Sequence, residues 1–102
     1  IRVPTPNVSL VDFKFNTQKA ISVEELNKKF QEYANGPLKG IMGVDTDPKV
    51  SSDYNHDSRS SILDLTETTA VSDNFGRVLT WYDNEWGFSN RMLETTEQVC
   101  KL

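Results

Sequence analysis

Apolar and polar positions alternate along Val8-Ser9-Leu10-Val11-Asp12-Phe13-Lys14-Phe15. The two-residue period puts Val11, Phe13 and Phe15 on one face and predicts a strand. Upstream, Pro4 and Pro6 fix two φ angles and hold the residues before them extended. Asn16-Thr17 ends the run. The period then lengthens. Ser22 stands three residues before Glu25, the spacing of a capping box, with Ile21 and Leu26 placed as a hydrophobic staple. Val23, Leu26, Phe30, Tyr33 and Ala34 follow as one helical stripe. Asn35-Gly36-Pro37 stops it, with Gly36 suited to a left-handed position just past the helix. The pattern predicts a helix over 23–35 whose stripe needs a sheet to cover.

Short apolar runs come next. Gly40–Val44, Lys49–Tyr54, Ser61–Leu65 and Thr69–Ser72 read as strands separated by aspartates, serines and a proline. Gly76–Tyr82 is the clearest late strand, with Val78, Thr80 and Tyr82 opposing Leu79 and Trp81. Asp83-Asn84 breaks it. A last helix is predicted from Gly87 to Val99, with Met92, Thr96 and Val99 on one stripe and Leu93 and Cys100 beside it. The order predicts an α+β fold: a mostly antiparallel or mixed sheet with helices on one face.

Composition narrows the class. The 102 residues are enough for one domain and too few for two. A net charge of −4 argues against a nucleic-acid-binding surface, which is ordinarily basic. No apolar run is long enough to span a membrane. The single cysteine, Cys100, has no internal partner, which fits a reducing cytoplasm. Ile1-Arg2-Val3-Pro4 reads as the middle of a longer chain, so a fragment is expected.

Candidate chemistry is sparse. Cys100 falls at a helix C-terminus, where the dipole opposes a thiolate, so it reads as a small hydrophobe rather than a nucleophile. His56 is the only histidine and lies in the polar loop Asp53-Tyr54-Asn55-His56-Asp57. It lacks the further ligands a metal site needs and a nucleophile to serve as general base. The five glycines form neither a GxGxxG nor a Walker pattern. Two segments stand out. Arg2, ahead of the rigid Val3-Pro4-Thr5-Pro6, can aim a guanidinium at a phosphate. Trp81 to Arg91 sets four aromatics among polar side chains at a strand-to-helix junction, where Asn84 can donate and accept at once. The residues alone leave two readings of that junction open: a core seam, or a pocket for a flat polar heterocycle.

Arg2-Val3-Pro4-Thr5-Pro6-Asn7-Val8-Ser9 with Val11-Asp12, and Trp81-Tyr82-Asp83-Asn84-Glu85-Trp86-Gly87-Phe88-Ser89, resemble the phosphorylating glyceraldehyde-3-phosphate dehydrogenases. The stretches Gly36–Ile41, Val50–Tyr54 and Ser60–Ile62 fit that family in order and spacing. The resemblance implies that residues 1–102 are the C-terminal part of a catalytic domain. It implies an enzyme that oxidises glyceraldehyde 3-phosphate with NAD and inorganic phosphate, giving 1,3-bisphosphoglycerate in glycolysis. Arg2 matches the arginine that binds the substrate phosphate, and Asn84 the residue that binds the nicotinamide carboxamide. Tyr82, Glu85 and Phe88 match neighbours that shape that pocket.

The resemblance also implies what this stretch lacks: the N-terminal nucleotide-binding domain, the nucleophilic cysteine and the histidine that activates it. Neither Cys100 nor His56 matches those positions, so no catalytic residue and no metal ligand is expected here, and the chain alone should be inactive. The whole enzyme would be a cytoplasmic homotetramer. Asn55-His56-Asp57 and Asn84-Glu85-Trp86-Gly87-Phe88 with Asn90-Arg91-Met92-Leu93 look somewhat like the related erythrose-4-phosphate dehydrogenases, whereas Pro6 and Tyr82 look more like the main branch. A non-catalytic interaction module is the alternative from a different class. Without its upstream strands the chain should expose strand edges and an apolar face that favour association.

Overall fold

A computed structural model describes residues 2–102. Its elements are β1 (Ser9–Asn16), α1 (Val23–Asn35), β2 (Met42–Asp45), a 3-10 turn (Ser51–Tyr54), β3 (Ser61–Ser72), β4 (Phe75–Tyr82) and α2 (Trp86–Cys100). The four strands form one sheet in the order β1-β4-β3-β2. β4 pairs antiparallel with β1 and β3, and β2 adds parallel to β3, so the fold is α+β with a mixed sheet. Among the described residues no helix is long and apolar enough to cross a membrane.

β3 supplies both cores because its side chains alternate faces. Ile62 points to one side, where it packs with Val8, Tyr54 and Trp81. Leu63 and Leu65 point to the other, where they meet Val78, Phe15, Met42, Val44 and Phe30 of α1. Tyr54 lies over Trp81 with ring centroids 5.4 Å apart and donates to Asp45 Oδ2 at 2.9 Å. Burial, reinforced by that carboxylate, holds its phenol above the usual range.

α1 forms because its first turn is capped. Glu25 N donates to Ser22 Oγ at 3.2 Å. The return half of the capping box differs from the expectation: the Ser22 hydroxyl, not its amide, bonds the Glu25 carboxylate, at 3.3 Å. The buried stripe is also narrower. It centres on Phe30 and Ala34, four residues apart, and Tyr33 falls off it at 51% exposure. Gly36 closes the helix with φ −117, not in the left-handed region. Its need for glycine is steric, since a Cβ would sit 2.9 Å from Glu32 O. The left-handed glycine is Gly40, φ +83.

Two strand expectations are corrected. Lys49–Tyr54 is not a strand: Asp53 Oδ2 accepts from Val50 N at 2.9 Å and curls the chain into the 3-10 turn. Ser61–Leu65 and Thr69–Ser72 are one strand, because the polar Thr66-Glu67-Thr68 stretch is absorbed as a bulge opposite β4. Asp64 Oδ1 braces it by accepting from Thr66 N and Thr66 Oγ1, and Asn27 of α1 donates to Leu65 O at 3.0 Å.

α2 leaves the end of β4 and is held through its first two turns against the loop residues ahead of β3. Gly87 lies so close to the Arg59 carbonyl that a Cβ would stand 2.7 Å from it. Arg91 Nη1 donates to Ser60 Oγ at 3.3 Å. Phe88 within that anchor, and Met92, Leu93 and Val99 beyond it, are all exposed.

Candidate functional site

The turn from β4 into α2 is organised around one carboxylate. Asp83 is 4% exposed, and none of its hydrogen-bond partners carries a positive charge. Its Oδ1 accepts from Glu85 N at 3.2 Å and Trp86 N at 3.1 Å, which caps the free amides that begin α2. Its Oδ2 accepts from Asn7 Nδ2 at 2.8 Å and His56 N at 2.9 Å. Burial pushes the Asp83 carboxyl upward. The amides of His56, Trp86 and Glu85, together with Asn7, outweigh burial and hold it below the ordinary carboxylate range.

Asn7 uses its second N–H to reach Asn55 Oδ1 at 2.8 Å. Three distant segments therefore converge on Asp83: the entry to β1, the loop before β3, and the β4–α2 turn. The backbone is strained at two of these junctions. Val8 has φ 71 and His56 φ 62, the two non-glycine residues with positive φ among those described. For the β-branched Val8 this conformation is costly, about 1–3 kcal/mol, and surrounding packing must hold it. Val8 is 7% exposed and locked against Tyr54 and Ile62. Such strain gathers where a fold needs particular side-chain directions.

Above this hub lies an open polar hollow of about 440 Å³, lined by Pro6, Asn7, His56, Asp83, Asn84, Glu85, Trp86 and Ser89. The His56 ring stacks on Trp86 with centroids 4.3 Å apart and forms one wall. Asn84 is exposed, and its Oδ1 accepts from Ser9 Oγ at 2.6 Å. Among the described residues its Nδ2 has no partner.

The structure brings only some of the anticipated site residues together. Asn84 and Glu85 line the hollow. Tyr82 is half-buried at the end of β4, opposite Ser9 across the strand pair. Phe88 faces elsewhere, lining a shallower depression of about 280 Å³ with Arg91, Met92, Thr95 and Thr96. Phe88 stands two residues past Trp86 on α2, about 200° around the helix axis, which turns its side chain away from the hollow that Trp86 lines. Arg2 is exposed and is not among the residues that line the hollow, although Pro6 and Asn7 are. Cys100 is exposed at the far end of α2.

Asp83 was missed as a site residue, although a signal existed. An aspartate three residues before a helix can accept from the amides that open it, although Asp83 also reads as a strand breaker. Asn7 and Ser9 gave no local signal, since their partners lie 76 and 75 residues away.

A family model described as "Glyceraldehyde 3-phosphate dehydrogenase, C-terminal domain" matches residues 1–84. Fold and match together define the class: the C-terminal domain of a dehydrogenase. The chain is 50% identical over its whole length to a glyceraldehyde-3-phosphate dehydrogenase of Cereibacter sphaeroides, covering 31% of that protein. It is likewise 50% identical to the enzyme of that name from Xanthobacter flavus, covering 30% of it. Against glyceraldehyde-3-phosphate dehydrogenase 2 of Drosophila melanogaster the identity is 46% over 91% of the chain and 28% of the fly protein. The chain thus spans about a third of the length of these relatives. It belongs to the glyceraldehyde-3-phosphate dehydrogenase family.

Proposed function

We propose that residues 1–102 are the C-terminal part of the catalytic domain of an NAD-dependent dehydrogenase. The reaction is conversion of glyceraldehyde 3-phosphate and inorganic phosphate to 1,3-bisphosphoglycerate. The observation that carries this reading is Asn84: an exposed amide with a free Nδ2 on the rim of a polar hollow, in a chain whose relatives are named for that enzyme. A carboxamide-bearing ring fits such a wall, because Asn84 can hydrogen-bond it in the plane while the His56–Trp86 stack flanks it.

NAD, when bound, supplies the hydride acceptor. The chain's own share is binding and orientation. Asn84 grips the carboxamide, Glu85 borders the same hollow, and Tyr82 backs it from β4. Phe88 acts from the neighbouring face of α2. Arg2 anchors the substrate phosphate together with cations that residues outside this chain provide. The nucleophile and its activating base come from outside it too. The bare apolar face of α2 fits packing against a nucleotide-binding domain, and the complete protein is read as a cytoplasmic homotetramer.

The test is turnover. Full-length protein containing this segment should form NADH from glyceraldehyde 3-phosphate, NAD and phosphate, and the isolated 102-residue chain should form none above a contaminant control. Absence of NADH from the full-length protein, or faster turnover of erythrose 4-phosphate, contradicts the reading.

A further inference from the structure

We infer that Ser9 is a positioning residue that fixes which end of the Asn84 amide faces the cofactor; this rests on the cofactor reading of Asn84 above. An asparagine side chain can turn about its last torsion and offer either an oxygen or an NH₂ group. Asn84 is exposed, so burial does not dictate the choice. The Ser9 hydroxyl does, by donating to Oδ1 at 2.6 Å. That bond ties the oxygen to Ser9 and leaves Nδ2, with both its N–H donors, as the unpartnered end, so the wall favours an acceptor such as a carbonyl oxygen.

Both ends of the bond are anchored. Ser9 is the first residue of β1, paired opposite Tyr82, and follows Val8, whose positive φ and buried side chain fix the direction in which the chain enters the strand. Asn84 follows Asp83, whose four hydrogen bonds hold the turn. The strain at Val8 then has a use: it brings the Ser9 hydroxyl to an amide 75 residues away. A bond between a half-exposed serine and an exposed asparagine adds little to folding, since water can replace either partner.

The experiment is a double-mutant cycle in the full-length protein, reading the NAD dissociation constant by calorimetry and KM for glyceraldehyde 3-phosphate. Ser9→Ala should weaken NAD by about 2- to 10-fold, the affinity equivalent of one neutral hydrogen bond, with KM for the aldehyde unchanged. Ser9→Thr, which keeps a hydroxyl, should restore most of the loss. Adding Ser9→Ala to Asn84→Ala should cause no further loss, because Ser9 acts only through that amide. Asn84→Asp keeps an acceptor for Ser9 but offers no N–H, and should bind NAD as poorly as Asn84→Ala. The inference is overturned if Ser9→Ala binds like wild type while Asn84→Ala does not, if the two losses add, or if Asn84→Asp binds like wild type. If Asn84→Ala itself leaves NAD affinity intact, the cofactor reading fails and this inference goes with it.

Discussion

α1 and α2 are of similar length, and each starts from a polar side chain that caps its amides, yet they end in opposite situations. α1 lays Phe30 and Ala34 against the sheet, and its cap, Ser22, serves only its own helix. α2 keeps Phe88, Met92, Leu93 and Val99 in solvent, and its cap, Asp83, also ties down Asn7 and the His56 amide. Helical periodicity alone does not separate these cases, since both helices carry an apolar stripe. What separates them is the reach of the capping residue. A local cap marks a helix that folds against its own sheet. A cap shared with distant segments marks the end of the molecule where the polar hollow opens.

The contrast breaks most visibly through truncation. Phe30→Ala should cost this chain about 3 kcal/mol, because it opens a cavity beneath α1 among Leu63, Leu65 and Val78. Phe88→Ala should change stability by less than about 0.5 kcal/mol, since the ring is already in water. Urea unfolding of both variants checks the pair. Comparable losses would mean that α2 is held as α1 is.

Next in size is the hub. Asp83→Ala strands the amides of Glu85, Trp86 and His56 and should cost about 2 kcal/mol. Asp83→Asn keeps the shape and should cost less at neutral pH. The pH dependence follows from sign. The folded Asp83 carboxyl titrates below its unfolded value, so its stabilisation is complete above the ordinary carboxylate pKa of about 3.9 and fades as pH falls beneath it. Asp12, held down to about 2 by Arg77 and Lys14, loses its share in the same direction. Thermal melts of Asp83→Asn should therefore show a shallower acid decline than wild type. An identical decline would remove Asp83 from the account.

The smallest effect is the local cap. Ser22→Ala should lower stability by about 1 kcal/mol and leave the signals of Asn7, His56 and Asn84 unmoved in an amide NMR spectrum, whereas Asp83→Asn should shift all three. Movement of the hollow in Ser22→Ala would erase the distinction between the caps.

The same distinction explains what could be read from the sequence. α1 was legible to its ends, 23–35, because Ser22, Glu25 and Gly36-Pro37 are neighbours in the chain. β1 and β4 were legible from alternation, within a residue or two. Lys49–Tyr54 misled because one side-chain-to-backbone bond from Asp53 overrode its pattern. The bulge in β3 looked like a gap between strands because its register depends on β4. At the site, Asn84 stood out by residue type and Glu85 through the family resemblance. Asn7, Ser9 and the strained Val8 did not, since their roles exist only once β1 lies beside β4. Phe88 was grouped with Asn84 by the family resemblance, and its place two residues past Trp86 on α2 turns it to another face.

The measurement that bears most directly on the central claim is a crossed pair of constants in the full-length protein: NAD affinity and KM for glyceraldehyde 3-phosphate, in Asn84→Ala and Arg2→Ala. The account predicts that Asn84→Ala weakens NAD about tenfold, the scale of a lost hydrogen bond, and spares the aldehyde. Arg2→Ala should do the reverse, since the role proposed for Arg2 is a charged contact to the substrate phosphate outside the hollow. NAD affinity unchanged in Asn84→Ala would contradict the assignment of the hollow to the cofactor.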